Sequence, residues 1–292
     1  MSLFIQFLIN GVLVGGIYAL IALAIVLIYK STRVFNFAMG EMLTLGGFIL
    51  YTFMATLKFP MWLGLIFTVI VSLGIGLVIE RLALRPLIGQ PILAAIMATL
   101  ALSLIIKGII FFGWGSPTIT FPEKILPGKA TLIGDIFLSN ELLCTFFISV
   151  GVFLGMGIFF RFTKIGVFMR ATAEGHDVAQ ASGIDVERIF AVAWAIAALV
   201  AAAGGILLGS RFGLGIGTLP LIAVKAFPAV LFGGLESVTG AVIGGLTVGI
   251  IESLVGGFID PKLSQITPYI LLLIVLLFRP EGLFGLKRIE RI

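Results

Sequence analysis

IQFLINGVLVGGIYALIALAIVLI, residues 5–28, runs for 24 residues without one charged side chain. As a helix rising 1.5 Å per residue it reaches about 36 Å. A hydrocarbon layer of roughly 30 Å needs only about 20 such residues. A second uncharged run, Ile189–Leu208, has the same character. Strands of an outer-membrane barrel alternate apolar and polar residues, whereas these runs are mostly apolar on every side. The fold class is therefore all-α, a polytopic integral membrane helical bundle.

Composition agrees. Of 292 residues 60% are hydrophobic and 11% charged, and mean hydropathy is +1.23. Soluble domains carry about a quarter charged residues, so this chain cannot cover a water-facing exterior, and the lipid bilayer is its first partner. The net charge of +5 does not point to nucleic acid, because Lys and Arg collect at the cytoplasmic ends of spans. Cys144 is the only cysteine, which excludes an intrachain disulfide. The N-terminus lacks a basic leader and a small-residue cleavage site, so 5–28 reads as a retained span.

The apolar pattern predicts eight or nine spans, at about 5–29, 40–57, 61–80, 91–112, 141–160, 189–210, 214–233, 238–258 and 263–279. Two are expected to be broken or re-entrant. Segment 214–233 holds Lys225 and Pro228, and 40–57 opens from the polar cluster Asn36–Glu41. Such irregularity is tolerated where it is buried in protein or lines a wet cavity. With nine spans and the C-terminus inside, twelve Lys and Arg fall on the cytoplasmic side, Lys287, Arg288 and Arg291 among them. Five fall outside, and Lys107 and Lys225 remain in the membrane. That asymmetry favours this orientation. Residues 1–292 are expected to form one transmembrane domain with two long connectors. Residues 113–140 are placed outside as a short lid. Residues 161–188 are placed in the cytoplasm, with a short helix over 177–180 and Gly183 as its stop.

Candidate chemistry is sparse. Gly128-Lys129 is followed by Ala130 and lacks the upstream glycine of a phosphate-binding loop. Gly213 to Gly217 lacks the spacing of a dinucleotide fingerprint, and His176 is the only histidine, which excludes a His-rich metal site. No cofactor is implied, and the chain does not read as an enzyme. Gly11, Gly15 and Gly16, and the series Gly233, Gly234, Gly240, Gly244, Gly245 and Gly249, read as helix-packing positions. Ionisable groups within spans are costly and mark paths or interhelical bonds. The translocation-path candidates are Asn36, Glu41 and Glu252, with Lys225 also inside a span, while Lys107 snorkels to the interface.

Val34-Phe35-Asn36-Phe37-Ala38-Met39-Gly40-Glu41 resembles the Asn-Phe-Ala-x-Gly-Glu motif of permease subunits of branched-chain amino acid ABC importers. Arg170-Ala171-Thr172-Ala173-Glu174, with Ala179 and Gly183-Ile184-Asp185, is similar to that family's cytoplasmic coupling loop. Phe232-Gly233-Gly234 through Ser237, and Gly240-Ala241 to Gly244-Gly245, resembles its late Gly-rich motif. In order and spacing the three cover most of the chain. Met39 stands where the family commonly has His, and Glu236 where it commonly has Gly.

The resemblance implies a permease that binds no nucleotide in a bacterial or archaeal inner membrane. Its implied partners are a second homologous permease, two cytoplasmic ATPase subunits and an extracytoplasmic solute-binding protein. The implied coupling residues are Arg170, Ala173, Glu174, Ala179, Gly183 and Ile184. The implied cargo is leucine, isoleucine or valine, in a family type that also serves urea, short amides and aromatic acids. The alternative is an ion-coupled secondary transporter, whose site lies within one chain at broken helices of repeated halves. The polar, Gly-rich entries at 36–57 and 234–258 are the one hint of such a repeat. A membrane enzyme would need clustered His, Asp or Glu, which the sequence does not show.

Overall fold

The structure is a computed structural model that describes residues 2–134, 136–279 and 281–285, with the backbone alone for Ile133, His176 and Asp177. Lys287, Arg288 and Arg291 lie outside the described residues. Among the described residues, twelve α-helices and one β-hairpin follow in order: α1 Ser2–Thr32, α2 Met39–Tyr51, α3 Met61–Ile79, α4 Ile92–Trp114, β1 Ala130–Ile133, β2 Ile136–Ser139, α5 Asn140–Phe162, α6 Lys164–Glu174, α7 His176–Ala181, α8 Val186–Phe212, α9 Thr218–Val224, α10 Ala226–Gly233, α11 Val238–Phe258 and α12 Pro261–Phe278. Seven helical stretches among the described residues are long and apolar enough to cross a membrane. The two remaining predicted spans are the two expected to be irregular. One is the 13-residue α2, extended by a π-turn at Thr52–Thr56. The other is interrupted at Lys225 into α9 and α10.

The helices fall into two compact units. One comprises Met1–Val26, Pro127–Val150 and Val224–Ile292; the other comprises Leu27–Leu126 and Gly151–Ala223.

In the first unit α1 and α11 run antiparallel along a seam of small residues. A Cβ on Gly11 would meet the backbone of Ile250 at 2.6 Å, one on Gly15 the backbone of Leu246 at 2.8 Å, and one on Gly245 the backbone of Ala19 at 2.4 Å. The Ser253 hydroxyl closes the seam by donating to the Phe7 carbonyl at 2.7 Å. Small residues four apart let backbones touch, which matters where lipid tails supply no hydrophobic drive between helices. α10 and α11 meet in the same way at Gly233–Gly240 and Gly244–Ala229. Between them the Gly234 φ of +102° reverses the chain. Ser237 then caps α11 by accepting from Gly240 N at 2.9 Å. Leu283 N and Phe284 N donate to the carbonyls of Phe232 and Gly233, which ties the segment after α12 to the end of α10.

In the second unit α8 is the central helix. Gly46 of α2 lies against Ala202, Gly205 against the Leu43 carbonyl, and Gly76 of α3 against Trp194 and Ala195. Trp194 is fully buried. The buried Thr44 and Thr68 hydroxyls turn back onto their own helices, to the Gly40 and Gly64 carbonyls. This satisfies them where water is scarce. α3 continues through a π-turn at Glu80–Leu84.

Gly205→Leu is expected to lower the melting temperature in detergent sharply, because overpacking costs about 1–3 kcal/mol even where side chains can shift and here the obstacle is the Leu43 backbone. Gly151→Ala, which meets nothing within 4 Å, is the matched control and should melt like the wild type.

Candidate functional site

Two sets of residues carry the chemistry, one in each unit. The connector after α5 is held to the second unit at several points. Thr163 caps α6 by accepting from Gly166 N at 3.0 Å. The Arg170 guanidinium donates to the Phe160 carbonyl, and Arg33 Nη2 donates to the Ala173 carbonyl at 2.7 Å. At the far end Asp185 caps α8 through Arg188 N at 3.1 Å. Glu187 pairs with Arg85 at 3.1 Å, and Arg85 also grips the fully buried Glu80 through two bonds of 3.0 and 3.1 Å. The two-pronged contact with Glu80 fixes the direction of the guanidinium, and a single exposed contact from it to Glu187 links the end of α3 to the entry of α8.

The short helix expected near 177–180 is α7, and Gly183 does end it. Ile184 N donates to the Ala179 carbonyl and Gly183 N to the Gln180 carbonyl. With φ +82° at Gly183, this is the glycine-terminated cap in which the residue after the helix turns left-handed. The candidate coupling residues divide by exposure. Ala173 and Ala179 are buried within the connector, and Arg170 and Ile184 are half-buried. Glu174 and Gly183 are exposed, together with Val178 (72% exposed) and the stretch Gln180–Ser182.

Asn36 and Glu41 lie in the second unit. Asn36 is fully buried; its Oδ1 accepts from Ala38 N at 3.0 Å, and its Nδ2 contacts Met42 Sδ at 3.2 Å. That is a local turn opening α2, in which the polar side chain replaces a missing backbone partner. Glu41 sits half-buried in the first turn of α2, where a negative charge faces the positive end of the helix dipole. Next to it Gly40 is pressed against Pro220. Met39 is fully buried.

Glu252 lies in the first unit, and sequence reasoning did not foresee its partner. Lys225 Nζ bonds Glu252 Oε1 at 2.6 Å, with the two side chains 22% and 12% exposed. The phenols of Tyr18 and Tyr269 lie within electrostatic reach of the same carboxylate. Glu252 Oε2 is buried and has no partner at hydrogen-bond distance among the described residues. The legible signal was opposite charge: Lys225 and Glu252 interrupt consecutive apolar spans, and each needs compensation.

Fold and site together define a polytopic helical membrane protein with an exposed, anchored connector and a charged pair inside the bundle. The sequence profile described as "Branched-chain amino acid transport system / permease component" matches residues 7–276. The high-affinity branched-chain amino acid transport system permease protein LivH of Salmonella typhimurium is 30% identical over 99% of this chain and 98% of its own. BraD of Pseudomonas aeruginosa, of the same description, is 30% identical over the same shares. A probable LivH of Methanocaldococcus jannaschii is 29% identical over 97% of this chain and 94% of its own. The chain belongs to this family of ABC-importer permeases. It is a transport subunit, not an enzyme.

Gly183→Ala should weaken α7 without disturbing the bundle. Its Cβ meets open space, but a left-handed backbone costs a non-glycine residue about 1–2 kcal/mol. Hydrogen exchange at the amides of 178–184 should quicken, and Gly183→Asn should show a smaller change. Unchanged exchange in Gly183→Ala would show that the cap does not hold the helix.

Proposed function

We propose that the chain is one half of a translocation path for branched-chain or related amino acids in a cytoplasmic membrane. In this reading it pairs with a second, similar permease. Two ATPase subunits bind on the cytoplasmic side, and a solute-binding protein delivers cargo outside. Residues 161–188 are the cytoplasmic coupling loop, residues 113–140 face outside, and the C-terminus is inside. The Lys and Arg distribution supports this orientation.

The observation that carries the proposal is the anchoring of the connector. A loop that transmits a push must not yield. This one is fastened by Arg33 to Ala173, by Arg170 to Phe160 and by Arg85 to Glu187. Its exposed face, Glu174, Val178 and Gln180–Gly183, is the docking surface. Ala173 and Ala179 act from beneath, since their small size lets α6 and α7 lie flat against the chain. ATP binding closes the ATPase pair and drags this face, and the bundle shifts between two packed states.

Two tests separate this reading from an ion-coupled transporter. In the assembled importer Gln180→Trp, which adds bulk without backbone strain, should abolish uptake while ATP hydrolysis continues; wild-type uptake would count against the docking role. Purified chain reconstituted alone should move no leucine under sodium or proton gradients. Ion-driven uptake by the single chain would overturn the importer assignment.

A further inference from the structure

Four elements of the first unit converge on one polar cluster: Tyr18 from α1, Lys225 from the break between α9 and α10, Glu252 from α11 and Tyr269 from α12. Removing a lysine and a glutamate from water is expensive, and apolar residues of similar size often serve stability as well or better. A purely structural pin is therefore a poor reason for the pair. The break in the helix points the same way. Interrupted helices are tolerated at membrane depth where they are buried in protein or line a wet cavity, and in transporters they carry binding sites.

The geometry of the pair is specific. Lys225 engages Oε1 at 2.6 Å, and Oε2 has no hydrogen-bond partner among the described residues. Neither side chain is sealed off, at 22% and 12% exposed. We infer that Lys225 and Glu252, flanked by the Tyr18 and Tyr269 phenols, form an ion-pair exchange site that reads the α-ammonium and α-carboxylate of a zwitterionic cargo. This deepens the importer reading and rests on it. As cargo passes, its carboxylate takes Lys225 and its ammonium takes Glu252. Both cargo groups sit on one α-carbon, so they fit the gap that opens between the two side chains.

No charge is left unpaired at any stage, which is what a low-dielectric path requires. An uncharged amide or urea would open the pair and leave both charges unpartnered. A monocarboxylate without an amine would satisfy Lys225 and strand Glu252. The site therefore favours net-neutral zwitterions within the cargo range of such permeases, whatever the binding protein delivers.

The test uses the assembled importer in proteoliposomes with radiolabelled leucine. Single neutralisations leave a bare buried charge and risk misfolding, so the informative variant is Lys225→Met with Glu252→Gln. It should melt within a few degrees of the wild type and still copurify with the ATPase subunits, while leucine uptake falls at least about tenfold, as loss of charged hydrogen-bonding partners to a ligand entails. Wild-type uptake by this folded variant would overturn the exchange site and leave the importer reading standing. ATP hydrolysis without leucine uptake in the wild-type assembly would instead overturn the assignment of leucine-type cargo, and this inference with it.

Discussion

Backbone-to-backbone contact at glycine is the constraint on which the rest of this structure depends. In water, helices are pressed together by the burial of apolar surface. Lipid tails are as apolar as leucine, so that drive is missing and only close fit remains. The seam of Gly11, Gly15, Gly245 and Gly249 in the first unit and that of Gly46, Gly76 and Gly205 in the second are the same solution reached twice. With side chains removed from the contact, dispersion between backbones acts at the shortest distance available.

Buried carboxylates are then few, and Glu80 and Glu252 each meet a cation. Glu80 is fully buried only because Arg85 grips both of its oxygens. Arg85 reaches on to Glu187, where the connector ends and α8 begins. α8 lies against α2 and α3 through Gly205 and Gly76. The path from the exposed connector into the helix packing thus runs through direct contacts within one unit. Lys225 and Glu252 follow the same rule inside the other unit, except that their compensation is incomplete at Oε2.

Much of this was legible in the sequence. The uncharged run at 5–28 indicated a membrane helix, and the two segments holding Lys225 and Asn36–Glu41 were the ones that depart from simple spans. Gly183 could be recognised as a helix stop because it follows a short helical stretch over 177–180 and glycine enters the left-handed region freely. The site was less legible. That Lys225 meets Glu252 follows from how α10 folds back on α11, a packing fact with no local signature. The division of the connector into buried Ala173 and Ala179 and exposed Glu174 and Gly183 was equally hidden, since small residues suit both a docking face and its underside. Asn36 stood out as part of the polar cluster that opens 40–57; that its side chain also closes a turn, through Ala38 N and Met42 Sδ, was not legible.

The central claim is that the exposed face of 161–188 meets an ATPase. The most direct measurement is site-specific crosslinking from Gln180→Cys in the assembled importer, with Cys144, the chain's only cysteine, replaced by Ala. A short bifunctional reagent should yield one adduct with the ATPase subunit, and nucleotide should change its yield. No ATPase adduct, or an adduct with the solute-binding protein, would contradict the account.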